Sequence, residues 1–147
     1  MLSIQPASKP HYESLRACFM SIFDESEDEY FNSISSLSLS YFGIDRAGEV
    51  KAFILVKQSH IHAEYEIAYL GVSSRYRGKG YAKQLIQVVL HRLIGYTVWL
   101  NTFESNSNAC ALYDCMGFEI IGKFTDKLGN ASIIYRLLPP SNGKCQS

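Results

Sequence analysis

Long apolar runs are missing from this sequence; none approaches the 18 residues that read as a membrane-spanning helix. Its start has no basic stretch leading into an apolar one, so the expectation is a soluble, cytoplasmic protein with no membrane partner. A surplus of either charge is missing too. Fourteen Lys and Arg offset fourteen Asp and Glu, and a formal net charge of zero sets up no global field to recruit nucleic acid. Any electrostatic recognition has to be local. The cysteines are few (Cys18, Cys110, Cys115 and Cys145) and none stands in C-x-x-C spacing, which points to free thiols in a reducing compartment. Repeats, low-complexity tracts and linkers are lacking. The 147 residues read as one domain, 1–138, with a mobile tail at 139–147 after Pro139 opens a Pro-Pro step.

What is present is a regular change of periodicity. Leu2–Gln5 is strand-like, and Tyr12, Leu15, Cys18, Phe19, Ile22 and Phe23 recur at helical spacing behind Pro10. An acidic run follows, Asp24, Glu25, Glu27, Asp28 and Glu29, three of which would open a second helix that turns Tyr30, Phe31 and Ile34 inward. Leu39–Asp45 and Val50–Gln58 read as a hairpin around Arg46–Glu49. Ile61–Val72 reads as a third long strand. Its alternation puts Glu64, Glu66, Ala68, Leu70 and Val72 on one face with His60 and His62, and Tyr65, Ile67 and Tyr69 on the other. A helix from Tyr81 to about Leu93, a strand Thr97–Phe103, a helix Ser105–Cys115 and the strands Phe118–Phe124 and Ser132–Leu138 complete the series. The order β-α-α-β-β-β-α-β-α-β-β predicts an α/β domain with a mixed, mostly antiparallel sheet of about six or seven strands and about four helices.

The most informative stretch joins the third long strand to the helix after it: Val72-Ser-Ser-Arg-Tyr-Arg-Gly-Lys-Gly-Tyr-Ala. A strand, a basic glycine-rich turn and a helix start together make an anion site. The first amides of a helix lack partners and its dipole end is positive. A nucleotide P-loop does not fit, because the Lys-Ser/Thr signature and the Rossmann order are both missing. This stretch resembles the acetyl-CoA pyrophosphate loop of the GNAT superfamily of N-acetyltransferases, [Q/R]-x-x-G-x-[G/A]. Two frames fit, starting at Arg75 or at Arg77, and the spacing from Val72 selects Arg77-x-x-Gly80-x-Ala82. A second stretch, Asn106-Ser-Asn-Ala109-Cys-Ala-Leu112-Tyr113-Asp-Cys-Met-Gly117-Phe118, is similar to the family's N-x-x-A-x-x-L-Y-x-x-x-G-F.

The resemblance implies a set of roles. Acetyl-CoA is the co-substrate, and no metal is needed. The segment Leu70, Gly71 and Val72, and the loop Arg77, Gly78, Lys79, Gly80, Tyr81 and Ala82, would hold it, with Arg75 as a further cation. Gly71 is compatible with a bulge, with close approach of ligand, or with packing. Asn106 would touch the cofactor or cap its helix. Tyr113 would be the general acid, with a hydrogen bond to the sulfur or plain core packing as the alternatives; a phenol is protonated at neutral pH in each case. Glu66 would be the base that takes a proton from the amine, as in the histone-acetyltransferase branch. Other members carry the base one strand later, and the matching residue here is Asn101, which cannot serve. His60 and His62 have no third ligand and read as turn residues or a proton relay rather than a metal site.

The acidic run suggests a cationic acceptor such as a polyamine. Tyr41 and Phe42 would pack its spacer or belong to the core. A protein N-terminus or lysine is the alternative acceptor, and a non-catalytic acyl-CoA-binding module the alternative of another class. The partners expected are therefore a small-molecule or peptide amine, with a homodimer left open.

Overall fold

The computed structural model describes residues 1–23, 38–59 and 63–139. The predicted second helix, the acidic run, His60, His62 and most of the tail lie outside the described residues. The elements are β1 (Ser3–Pro6), α1 (Tyr12–Ile22), β2 (Tyr41–Ile44), β3 (Val50–Gln58), β4 (Glu64–Val72), α2 (Tyr81–Arg92), β5 (Thr97–Phe103), α3 (Ser107–Cys115), β6 (Glu119–Thr125) and β7 (Ala131–Leu137), with single 3-10 turns at Lys9–His11 and Ser74–Tyr76. The strands form a seven-stranded sheet in the order β1-β2-β3-β4-β5-β7-β6. β4 and β5 pair in parallel, and β1–β2, β2–β3, β5–β7 and β6–β7 in antiparallel fashion. This is the predicted mixed, mostly antiparallel α/β sheet.

The chain forms two compact units. The first is 1–57 with 67–92, the second 58–66 with 93–147, so β4 contributes to both.

In the first unit, Leu15, Cys18 and Phe19 of α1 pack with Phe42, Ile44, Val50, Phe53 and Leu55 of β2 and β3, all buried. Tyr69 of β4 meets the rings of Phe19 and Phe23 edge-on, at centroid distances of 4.9 and 5.4 Å. The opposite strand positions, Tyr41, Ala52, Ile54 and Val56, are buried as well. α2 packs on β2, burying Tyr81, Leu85, Ile86 and Val89, and Arg92 Nη1 donates to the Tyr41 hydroxyl at 3.0 Å. A strand covered on both faces reads as a continuous apolar run rather than an alternation, which is what Ala52–Val56 shows. Tyr41 and Phe42 are core residues. Burial holds the Cys18 thiol above its ordinary pKa, against the opposing pull of a Ser73 hydrogen bond and the Lys51 charge.

In the second unit, β7 lies between β5 and β6. Val98 and Leu100 share a face with Tyr135 and Ile133, all buried, and α3 lays Tyr113 against Tyr135. The β6–β7 hairpin closes on Asp126, whose Oδ1 accepts from the amides of Leu128 and Asn130 at 2.9 Å each.

Several element ends differ from expectation by one to three residues, and two of the differences have a visible cause. β4 starts at Glu64 rather than Ile61, because Ala63 stands at φ +69, outside strand geometry. The Ala63 carbonyl accepts instead from the Thr97 amide. β2 stops at Ile44 because the Asp45 carboxylate turns back onto the amides of Ala47 and Glu49.

Candidate active site

The glycine-rich corner belongs to the first unit. The Ser73 amide donates to the Lys51 carbonyl at 2.8 Å, fixing the point where the chain leaves β4. One 3-10 turn follows, and Arg77 Nε then donates to the Val72 carbonyl at 2.8 Å. The Arg77 side chain is thus partly spent on clamping its own loop. Arg75 and Lys79 are exposed.

Gly78 and Gly80 have φ of +75 and +86, a region other residues enter only with strain, and a Cβ at either would meet nothing within 4 Å. Glycine is therefore required by the backbone, and the space beside it is open. The first helical bond of α2 runs from the Gln84 amide to the Gly80 carbonyl, so the amides of Tyr81, Ala82 and Lys83 fall in the turn where helix donors lack intrahelical partners. Tyr81 is buried, and its hydroxyl accepts from the Leu2 amide at 2.9 Å. Open glycines, helix-start amides without intrahelical partners and flanking cations suit a pyrophosphate.

Gly71 is buried, and a Cβ there would stand 2.7 Å from Phe53 Cζ and 3.0 Å from Ile22 Cδ1. The bare backbone at this position makes room for the Phe53 ring. Leu70 and Val72 are half-buried beside it.

The second motif lies in the second unit and reads as instructions for a helix. Asn106 Oδ1 accepts from the Ala109 amide at 3.3 Å, which caps α3. Gly117 stops the helix at φ +92, and the Phe118 amide returns to the Tyr113 carbonyl at 3.1 Å. Tyr113 itself is 5% exposed, with its ring 5.8 Å from Phe118 and 5.4 Å from Tyr135. Burial, reinforced by nearby Cys110, pushes its pKa up to about 12. The phenol stays protonated throughout the physiological range.

Strand register places the remaining candidates. Glu66 pairs with Trp99, Trp99 with Arg136, and Arg136 with Glu119, so these four residues form one row across the second unit's sheet. Asn101 shares their face by alternation. Leu100 and Tyr135 point the other way, toward Tyr113, so Glu66 and Tyr113 stand on opposite faces of this sheet. Glu66 is half-buried. Arg136 Nη2 donates to Glu119 Oε1 at 3.0 Å, while its buried Nε finds no acceptor among the described residues. Glu104 is engaged by Lys123 at 3.4 Å. Trp99 and Arg136 could not be singled out from sequence, because only the pairing of three strands puts them beside Glu66. Among the described residues no cluster of His, Cys, Asp and Glu could hold a metal ion.

Residues 9–118 match the Acetyltransferase (GNAT) family. This chain belongs to that family. Among curated relatives, the GNAT chain is 32% identical over 84 residues to the N-alpha-acetyltransferase RimI of Mycobacterium tuberculosis, covering 57% of this chain and 47% of the relative. It is 28% identical over 123 residues to the probable N-acetyltransferase family 8 member 5 of Mus musculus, covering 82% and 54%. The chain thus spans about half the length of these two. A 5-NmdU N-acetyltransferase of Pseudomonas phage PaMx11 is 25% identical over 116 residues, covering 77% of this chain and 83% of the relative.

Among solved structures, the ribosomal-protein-S18-alanine N-acetyltransferase of Escherichia coli superposes with a TM-score of 0.80 at 20% identity, covering 98% of each chain. A chain of the NatC complex, solved with Gag peptide and CoA, gives 0.78 at 20% identity, covering 95% of this chain and 99% of its own. At that identity the likeness is one of fold.

Proposed function

We propose that this chain transfers an acetyl group from acetyl-CoA to an amine by direct attack, and that the acceptor is the α-amine of a peptide or protein. The observation that carries the reading is the pair of GNAT motifs, each built as its chemistry requires. One is a glycine loop with positive φ ahead of an open helix start; the other is a buried, protonated tyrosine on a capped helix. The loop backbone from Arg77 to Ala82 would bind the pyrophosphate.

Glu66 would take a proton from the incoming ammonium, which must be neutral to attack. As the tetrahedral intermediate collapses, the thiolate leaves and Tyr113 stabilises it. A phenol with pKa about 12 lies about 3.5 units above a reference thiol near 8.5. Full proton transfer to the sulfur would then run uphill by about 5 kcal/mol. Tyr113 therefore acts as a hydrogen-bond donor to the thiolate, and the proton that the attached nitrogen sheds as the C–S bond breaks passes through solvent to the sulfur.

The peptide acceptor is favoured by relatives and structural neighbours whose names carry alanine, α-amine or peptide substrates. A polyamine is the second reading, and the acidic run Asp24–Glu29 speaks for it. The test is release of free thiol from acetyl-CoA over a panel of α-amine peptides, N-blocked lysine peptides and polyamines. Turnover with the α-amine peptides is expected. CoA binding with no thiol release from any amine would make the chain a binding module.

A further inference from the structure

Glu66, Trp99, Arg136 and Glu119 stand in one row on successive strands β4, β5, β7 and β6. The row presents a carboxylate, an indole, a guanidinium and a second carboxylate. The last two are paired through one nitrogen, Arg136 Nη2, at 3.0 Å. A guanidinium carries five donor hydrogens in a planar fork. The Arg136 side chain keeps 37% of its surface exposed, and its buried Nε has no acceptor among the described residues. An arginine kept only for a cross-strand ion pair would not leave the fork so incompletely used. Both positions at which the family resemblance puts its base, Glu66 and Asn101, lie on this same face, so it is the side an amine approaches.

We propose that Trp99 and Arg136 form an acceptor subsite that prefers an α-amine followed one or two residues later by a carboxylate. The proposal rests on the acetyltransferase reading above and narrows its substrate. Strands in a sheet are spaced so that Glu66 and Arg136, two strands apart, are about 10 Å from each other. An extended peptide advances about 3.5 Å per residue, so an amine at Glu66 brings its second or third side chain to Arg136. The indole between them supports the intervening backbone. A polyamine fits this row badly, since its second cation would face Arg136.

Trp99 is the chain's one tryptophan, so its fluorescence reports this row without any need for turnover. The experiment titrates the CoA-loaded full chain with tetrapeptide amides that have a free α-amine and either glutamates or glutamines at the second and third positions. Spermidine is the cationic comparison. The glutamate peptide is expected to shift the Trp99 signal at about tenfold lower concentration than the glutamine peptide, the size of one charge-assisted hydrogen bond. Arg136→Met should erase that difference. Glu119→Gln, which removes the intramolecular competitor, should widen it.

Equal responses to the two peptides, a preference that survives Arg136→Met, tighter binding of spermidine, or no Trp99 response at all would each overturn the subsite. Thiol release from acetyl-CoA, measured in parallel, separates the two levels. A Trp99-reported preference without thiol release keeps the subsite and removes the catalytic reading. Polyamine turnover that ignores Arg136→Met keeps catalysis and removes the subsite.

Discussion

Gly71→Ala tests whether the glycine of β4 serves packing or ligand. The new Cβ would stand 2.7 and 3.1 Å from Phe53 Cζ and Cε2, and 3.0 Å from Ile22 Cδ1. Phe53 cannot simply step aside. It is fully buried, and its ring lies 5.9 Å from Phe19 and 6.3 Å from Phe23. Forcing one methyl group into a packed core costs about 1–3 kcal/mol. Unfolding entropy of about 2.1 cal/mol/K per residue gives roughly 0.3 kcal/mol/K for a chain of this length, so the melting temperature should fall by about 3–10 °C.

The assay is thermal unfolding without CoA. Its control is Phe53→Leu, alone and combined with Gly71→Ala. Removing the ring makes room for the methyl, so the double variant should be more stable than the sum of the two losses by about 1 kcal/mol. An unchanged melting temperature, or strictly additive losses, would refute the packing argument. An unchanged melting temperature with a raised KM for acetyl-CoA would show that Gly71 is bare for the ligand instead.

Tyr113→Phe keeps the ring and removes the donor, so kcat should drop about 100-fold with little change in the KM for acetyl-CoA; an unchanged kcat ends the role. Because the folded pKa of Tyr113 is raised from 10 to about 12, the unfolded chain loses this proton first. Its contribution to stability, about 2–3 kcal/mol, is present below pH 10 and lost between pH 10 and 12. Alkaline unfolding of Tyr113→Phe should accordingly be shallower over that window than that of the parent. Glu66→Gln should retain activity only at higher pH, where the acceptor amine is already neutral, and a pH–rate profile matching the parent removes Glu66 as the base. Gly80→Ala meets no steric neighbour but is held at φ +86, so it should lose about 1–2 kcal/mol of stability and raise the KM for acetyl-CoA; a silent substitution would mean the loop is not held in this conformation.

Much of the fold could be read from local chemistry. β3 and β5 have the bounds expected from their β-branched and apolar runs, and Asn106 and Gly117 announce both ends of α3. Where reading failed, the deciding interaction was not periodic. Ala63 takes a left-handed backbone inside a stretch that alternates like a strand, and a carbonyl contact with Thr97, 34 positions later, accompanies it. The candidate cofactor loop was legible because its glycines and cations are contiguous. The row at Glu66 was not, because pairing across β4, β5 and β7 creates it and no sequence window contains it. Arg77 was expected to offer charge to the ligand; its hydrogen bond to Val72 gives it a clamping role that spacing alone does not reveal.

The hydrogen bond from the Leu2 amide to the Tyr81 hydroxyl joins groups 79 positions apart. This contact has to wait until the intervening chain has closed into a loop. The glycine-rich turn is thereby fixed from both of its ends by contacts distant in sequence, Ser73 to Lys51 before it and Tyr81 to Leu2 after it.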